Sequence, residues 1–132
     1  MFITKEADYA VRVIRDLSFK GKEKVRNICE SEQIPRQYGY KILKKLEKAG
    51  LVLSYRGVDG GYALVREPRL ITLFDVITAV DRDLLLNECL RHGVSCPMNG
   101  KGARRCKVHG EFSRIQALIL KHLKEKSLAE IF

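Results

Sequence analysis

The stretch that decides the fold is residues 34–62, IPRQYGYKILKKLEKAGLVLSYRGVDGGY. Its first part predicts a helix over residues 34–50, because apolar side chains recur at helical spacing and Gly50 is a helix-ending glycine. The apolar positions are Ile42, Leu43, Leu46 and Ala49. Two β-prone runs then flank a glycine-rich turn, in which Asp59 and Gly60 are expected to supply the positive-φ positions of a tight hairpin.

The same stretch is strongly basic. Between residues 35 and 56, six basic side chains stand against one acid, Glu47, which gives a local net charge of +5. The basic residues are Arg36, Lys41, Lys44, Lys45, Lys48 and Arg56. A basic amphipathic helix followed at once by a tight hairpin is typical of a winged helix-turn-helix, in which the helix enters a major groove and the hairpin reaches the adjacent minor groove. The sequence therefore predicts a protein that binds double-stranded DNA.

The bulk composition limits the alternatives. The chain has 132 residues, enough for one compact domain with an appended helix, and its net charge of +9 favours nucleic acid ahead of a membrane surface. No apolar run approaches membrane-spanning length, and acids interrupt the N-terminal MFITKEADYAV where a secretion signal would be apolar. We therefore expect a cytoplasmic protein without a membrane partner. Its four cysteines then indicate metal or redox chemistry rather than a disulfide framework.

Two helices are predicted ahead of the deciding stretch. Thr4 is expected to cap the first helix, which has one apolar face. That face comprises Ala7, Ala10, Val11, Ile14 and Leu17. The second, over roughly residues 25–32, is the positioning helix of the helix-turn-helix, with Ile28 and Cys29 directed inward. Pro35 makes the turn into the third helix, because the residue before a proline avoids helical geometry.

The third helix carries most of the candidate DNA contacts. Residues at its N-terminal end and one turn further along the same exposed face reach bases first. These base-reading candidates are Arg36, Gln37, Tyr40 and Lys41. Lys44, together with Lys45 and Lys48, is expected to meet phosphates or to remain in solvent. Gly39 weakens a helix, so we expect it to permit a close approach, either to DNA or to the second helix.

The hairpin, or wing, supplies the remaining candidates. Arg56 is expected in the minor groove, because a guanidinium is attracted to the negative potential there and is less strongly hydrated than an ammonium. Gly57, Gly60 and Gly61 let the turn close and its backbone approach a phosphate.

The rest of the chain divides at a cysteine-bearing loop. Residues 72–75 form a capping box that opens a helix to about Val80, and residues 82–110 lack regularity and contain three cysteines. A further helix from Glu111 carries an apolar stripe that needs a partner, which we expect to be a second subunit. The stripe comprises Phe112, Ile115, Leu118, Ile119 and Leu123. Ser127 is expected to cap a last short turn.

The predicted fold is mainly α with a small β-hairpin wing, divided into three parts. A winged helix-turn-helix domain occupies residues 1–81, a ligand or sensor loop occupies residues 82–110, and a dimerisation helix with a C-terminal turn occupies residues 111–132. We refer to residues 82–110 as the cysteine segment.

The run RGVDGGYALVREPRLITLFDVITAV, residues 56–80, resembles the wing and following helix of the BadM/IscR/NsrR (Rrf) family of bacterial winged-helix regulators. EADYAVR, LEKAGLV and the final SLAEIF are similar to that family too, so the resemblance covers essentially the whole chain. It implies a homodimeric transcriptional regulator, a repressor, that binds an inverted-repeat operator and senses redox or iron–sulfur status.

The resemblance also implies an iron–sulfur cluster on Cys89, Cys96 and Cys106, for which we expect 2Fe-2S in preference to 4Fe-4S. Six residues separate the first pair and nine the second, spacings that depart from the best-known members. The fourth ligand stays open between Asp8 of a partner subunit and His109. We favour His109 because it shares the loop; His92 is a third option, whereas Cys29 is expected in the core.

Other functions for the loop are less well supported by the sequence. A structural zinc site on the three loop cysteines and His109 would ordinarily show paired Cys-x-x-Cys motifs, which are absent from the sequence. A metal-free thiol–disulfide switch requires only the cysteines. An enzyme with a Cys–His nucleophile is excluded, because the glycine-rich loop offers neither an orienting acid nor a preorganised pocket.

Overall fold

The computed structural model describes residues 2–94, 96–99 and 106–132, and this part of the chain contains six α-helices and three short strands. The elements are α1 Lys5–Lys20, β1 Lys22–Glu23, α2 Val25–Ser31, α3 Arg36–Lys48, β2 Val52–Tyr55, β3 Gly61–Leu64, α4 Leu73–Val80, α5 Lys107–Glu125 and α6 Leu128–Ile131. Among the described helices, none is long and apolar enough to cross a bilayer. The predicted class, mainly helical with a small wing, is confirmed.

Helix α1 forms the centre of the core. It begins where predicted, because the Thr4 hydroxyl accepts a hydrogen bond from the backbone N–H of Ala7 at 3.2 Å. Four of the five predicted apolar positions are buried, but Val11 is only half-buried and Val13 takes its place in the core. Asp16 is a buried charged residue; it accepts a hydrogen bond from Ser31 at 2.6 Å and pairs with Lys20 at 2.8 Å.

The packing between α2 and α3 explains Gly39. A Cβ atom at this position would overlap the Sγ atom of Cys29, which is buried on α2 as predicted. The glycine therefore serves the second of its two proposed purposes, close approach to the positioning helix. The turn between the helices runs through Gln33 at φ 54° to Pro35, which caps α3. Helix α3 therefore begins at Arg36, directly after the predicted turn, and the helix-ending Gly50 follows its C-cap at φ 75°.

The hairpin is part of a three-stranded antiparallel sheet with the order β1–β3–β2. Strand β1, which was not predicted, pairs Glu23 with Tyr62 at the edge of β3. The predicted positive-φ positions were wrong: the turn uses Gly57 at φ 99° and Gly61 at φ 152°, not Asp59 and Gly60. Gly60 is needed for another reason, because a Cβ there would overlap the carbonyl oxygens of Tyr55 and Gly57.

The C-terminal turn packs into the first domain. The predicted capping box of α4 is present, with Thr72 and Asp75 capping each other, and Ser127 and Glu130 cap α6 in the same way. Leu128 is fully buried and its N–H donates to the carbonyl of Ile71 at 2.8 Å. Residues 127–132 therefore contribute to the core around α1, while the division of the chain into three functional parts stays a prediction.

Helix α5 begins one turn earlier than predicted, because Cys106 acts as its N-cap. None of its residues is fully buried. Leu120 and Leu123 pack against the core, and Gln116 binds the cysteine segment: its carbonyl accepts from the N–H of Leu86 at 2.7 Å and its amide donates to the carbonyl of Leu84. The cysteine segment also contains two short 3-10 turns, Glu88–Leu90 and Pro97–Asn99.

Candidate nucleic-acid interface and cysteine segment

The DNA candidates on α3 share one exposed face. Gln37, Tyr40, Lys41 and Lys44 are exposed, and their spacing of three, four and seven residues places them on one side of the helix. The opposite side packs into the core through Ile42, Leu43 and Leu46, whereas Ala49 is exposed at the end of the pattern. The amphipathic pattern thus holds the helix with its polar side outward, as an insertion into a groove requires.

Arg36 lies at the start of this face. Its guanidinium is 3.6 Å from the Glu30 carboxylate, and both side chains are well exposed. Glu30 also accepts from Arg26 at 2.9 Å, which lowers the pKa of the Glu30 carboxyl. An exposed pair of this length stabilises little, so Arg36 is available for another partner.

Two lysines of α3 are held by an acid of α1. The Glu6 carboxylate accepts hydrogen bonds from Lys41 and Lys45, each at 2.5 Å, and Lys45 also donates to the carbonyl of Val80 at 3.2 Å. The hydrogen bonds from Lys41 and then Lys45 lower the pKa of Glu6, and the bond to Glu6 raises the pKa of Lys41. We call Glu6, Lys41 and Lys45 the Glu6 ion-pair cluster.

The other lysines of α3 differ from these two. Lys44 and Lys48 are exposed, and within the described ranges neither has an ion pair. The lysines of α3 therefore fall into two pairs: Lys41 and Lys45 share one carboxylate, whereas Lys44 and Lys48 have none among the described residues.

The tip of the wing projects into solvent. Arg56, Gly57, Val58 and Asp59 are all exposed, with Val58 the most exposed of the large apolar residues at 88%. Within the part of the chain that the structure describes, Arg56 forms no ion pair. Gly60 and Gly61 are half-buried at the base of the turn, where they shape the backbone. The tip thus presents one unpaired guanidinium, as a minor-groove contact requires.

The cysteine segment carries the three candidate cysteine ligands. Cys89 and Cys96 are half-buried, and Cys106 accepts from the N–H of His109 at 3.5 Å while capping α5. Over residues 2–94, 96–99 and 106–132, no group of three His, Cys, Asp or Glu side chains is arranged to hold a metal ion.

The candidates for a fourth ligand have different surroundings. Asp8 lies on α1 and pairs with Arg12 at 2.9 Å, and His92 is exposed. His109 is half-buried, and its Nδ1 atom is buried without a hydrogen-bond partner among the described residues. A buried imidazole nitrogen in that condition fits a ligand role better than either alternative, because buried polar atoms ordinarily have a partner. Cys29 is buried against Gly39, and burial raises the pKa of its thiol.

Two residues of the site were missed by the sequence analysis. Glu6 lies in the first turn of α1, where the helix dipole favours an acid whatever its partners, and Gln116 belongs to no sequence motif. Glu6 pairs across 35 and 39 positions of the chain and Gln116 across 30 and 32. No local pattern signals a contact at such separations; the helical spacing of Lys41 and Lys45 was the one available hint.

The chain is similar to known transcriptional regulators over its whole length. The Rrf2 family model, described as an iron-dependent transcriptional regulator, matches residues 3–132. Protein aau3 of Rhizobium meliloti is 39% identical over 74% of this chain and 66% of its own length. A putative HTH-type transcriptional regulator of Synechocystis is 37% identical over 64% of this chain and 59% of its own length. The chain therefore spans less than two thirds of the length of these two relatives. The HTH-type transcriptional regulator IscR of Aliivibrio salmonicida is 33% identical over 99% and 77%.

Solved structures agree on the fold. T. potens IscR superimposes with a TM-score of 0.73 at 26% sequence identity, covering 98% of this chain and 84% of that one. CymR, the global cysteine regulator of B. subtilis, gives a TM-score of 0.74 at 21% identity over 98% and 94%, which supports the fold alone.

Proposed function

Because this chain belongs to the Rrf2 family of iron-dependent transcriptional regulators, we propose that it represses transcription by binding double-stranded DNA as a dimer. The family membership confirms the resemblance seen in the sequence, and relatives named as transcriptional regulators confirm that the chain is not an enzyme. We place its action in the bacterial cytoplasm, where operator DNA lies.

The observation that carries the proposal is the exposed polar face of α3 beside an exposed wing tip. Arg36, Gln37 and Tyr40 are exposed near the start of α3, from which an inserted helix would read base edges, and the exposed Lys44 would meet the backbone. Arg56 would extend from the wing into the neighbouring minor groove.

The proposal of a homodimer is supported by α5. Four of its apolar side chains stay partly exposed, although they recur along one helix; they are Phe112, Ile115, Leu118 and Ile119. Burial of such a stripe against a second copy removes apolar surface from water. To read an inverted repeat whose half-sites lie one helical turn apart, a symmetric dimer would have to present its two α3 helices about 34 Å apart.

The proposed sensor is the cysteine segment. Cys89, Cys96 and Cys106 would hold an iron–sulfur cluster, with His109 the favoured fourth ligand; thiolates and an imidazole nitrogen without a partner are suitable donors. Such a cluster supplies one-electron redox chemistry. The N–H of His109 already donates to Cys106, and hydrogen bonds of that kind tune the potential of a sulfur ligand.

A metal-free thiol switch is the second candidate. It is favoured by the finding that no three donors converge in the described part of the cysteine segment. Anaerobic purification with iron, sulfide and zinc quantified together separates the two, and zinc without sulfide would indicate the structural zinc site instead.

Two variants test the proposal. Arg56→Ala should weaken binding to a duplex selected by the wild type from a random library and reduce the salt slope by about one, because one phosphate-region contact is lost. Cys106→Ser keeps a capping oxygen for α5 but removes the thiolate, so it should lose iron and sulfide, whereas Cys29→Ala should keep both. Unchanged DNA binding by the first variant would refute the wing contact, and normal loading of the second would remove Cys106 from the ligand set.

A further inference from the structure

The Glu6 ion-pair cluster divides the four lysines of α3 into two pairs. Glu6 is held in the first turn of α1, and its side chain is 22% exposed, so it is fixed beside α3 rather than free in solvent. One carboxylate oxygen pairs with Lys41 and the other with Lys45. The two lysines are one turn apart, so a single carboxylate reaches both.

A lysine engaged in this way is a poor partner for a phosphate. To neutralise a phosphate it must leave Glu6, or else it brings the carboxylate close to the DNA, where like charges repel. Lys44 and Lys48, which have no ion pair among the described residues, carry no such cost.

Non-specific and specific binding depend on these charges to different degrees. Non-specific binding arises almost wholly from phosphate neutralisation, whereas specific binding adds contacts to base edges. A residue that keeps positive charge away from phosphates therefore weakens non-specific binding proportionately more than specific binding.

We propose that Glu6 is a specificity-determining residue: by engaging Lys41 and Lys45, its single carboxylate holds both ammonium groups away from DNA phosphates, offsets one of their two positive charges and raises the ratio of specific to non-specific affinity. This rests on the proposed placement of α3 against DNA. It also means that Lys41, although on the exposed face, contributes less to DNA binding than its position in the sequence predicts.

Glu6→Gln tests the proposal, because it removes the charge and keeps the shape. The probe is a fluorescein-labelled duplex of arbitrary mixed sequence, and anisotropy is measured over a range of KCl concentrations. Release of two lysines should steepen the plot of log K against log salt by about 1–2 and raise the low-salt affinity about tenfold. Affinity for a duplex selected by the wild type from a random library should rise less. An unchanged slope and affinity for the mixed-sequence duplex would overturn the proposal.

Two matched controls separate this effect from a general change in charge. Glu111→Gln makes the same substitution on α5, where Glu111 pairs with Arg114 at 2.6 Å, and it should leave the slope unchanged. In a Lys41→Gln/Lys45→Gln background, Glu6→Gln should likewise leave the salt slope unchanged, because no lysine is left to be released. An equal steepening of the slope in either control would assign the effect to net charge and overturn the proposal.

A comparison of lysine pairs serves if the Glu6 variant does not fold. Lys44→Gln/Lys48→Gln should reduce the slope by about two, whereas Lys41→Gln/Lys45→Gln should barely change it, because those charges are already withheld. Equal losses would contradict the proposal. A failure of the proposed function would give a different result. The wild type would bind neither duplex, or Gln37→Ala and Arg56→Ala would leave binding to the selected duplex intact. Both proposals would then be wrong.

Discussion

The recognition unit, which we define as residues 25–64, and the cysteine segment are held in place by different means. In the recognition unit a continuous set of buried side chains fixes α2, α3 and β2 against α1. In the described part of the cysteine segment, Leu84 is the one buried residue; the other anchors are contacts of the Glu88–Leu90 turn with α5 and the hydrogen bonds from Gln116 of that helix. Dense apolar packing gives one fixed geometry, whereas a few polar anchors leave a segment responsive to what binds it.

The largest expected difference between the two regions is in the free energy of unfolding that is lost when one leucine of each region is truncated. Leu46→Ala removes a fully buried side chain of α3 and should reduce the free energy of unfolding by about 2–5 kcal/mol. Leu90→Ala, at a half-buried position of the cysteine segment, should cost less than about 1 kcal/mol. Urea denaturation of the metal-free protein measures both; equal costs would mean that the two regions are equally well packed.

The second comparison uses two helical glycines. Gly39→Ala forces a methyl group into Cys29 and should destabilise the recognition unit by about 1–3 kcal/mol, with loss of DNA binding. Gly110→Ala meets nothing within 4 Å and should stabilise α5 by about 0.5–1 kcal/mol. Thermal denaturation and DNA titration provide the measurements.

The double variant Cys29→Ala/Gly39→Ala removes the overlapping sulfur and should recover most of the loss. If the double variant remains as unstable as Gly39→Ala, the contact between α2 and α3 is not what requires the glycine.

A smaller, local effect is expected at Gln116. Gln116→Leu removes both hydrogen bonds to the start of the cysteine segment, and each such bond contributes about 1 kcal/mol. Hydrogen exchange at the Leu86 amide should accelerate while global stability changes little. The exposed substitution Gln37→Leu should leave that amide unaffected, and slow exchange in the Gln116 variant would show that other contacts hold the segment.

The smallest expected effect is on the pH dependence of stability. The Lys41 and Lys45 hydrogen bonds lower the pKa of Glu6 from its ordinary value of 4.5, so its contribution is complete above that pH and is lost as the pH falls through the folded-state value. Glu6→Gln should therefore show a flatter acid limb in urea denaturation. Parallel curves for the wild type and the variant would contradict a stabilising role for the Glu6 ion-pair cluster.

The recognition unit was largely predictable from sequence because its determinants are local. Helical spacing, a turn-forming proline and the helix-ending Gly50 each act within a few residues. The errors have different causes: β1 is two residues long and is defined by its pairing with the distant strand β3, and the turn takes its positive φ at Gly57 and Gly61, while Gly60 fits closely under two carbonyls.

The cysteine segment was predictable only as an irregular region. Its shape depends on Gln116 and on the capping of α5 by Cys106, and a sequence does not reveal which distant side chain meets a loop backbone. The pairing of Glu6 with α3 was hidden for the same reason. Local structure was therefore well predicted from the sequence, whereas contacts between residues far apart in the chain were not.

The attachments of the cysteine segment to α5 have a mechanical consequence. Gln116 holds residues 84–86 near the middle of that helix, and Cys106 is the N-cap of the same helix. Both ends of the intervening chain are therefore attached to α5. A chain whose ends are already joined gives up less entropy when it closes around a ligand. A contraction of this chain around a ligand would therefore act on α5 before it acted on any other element.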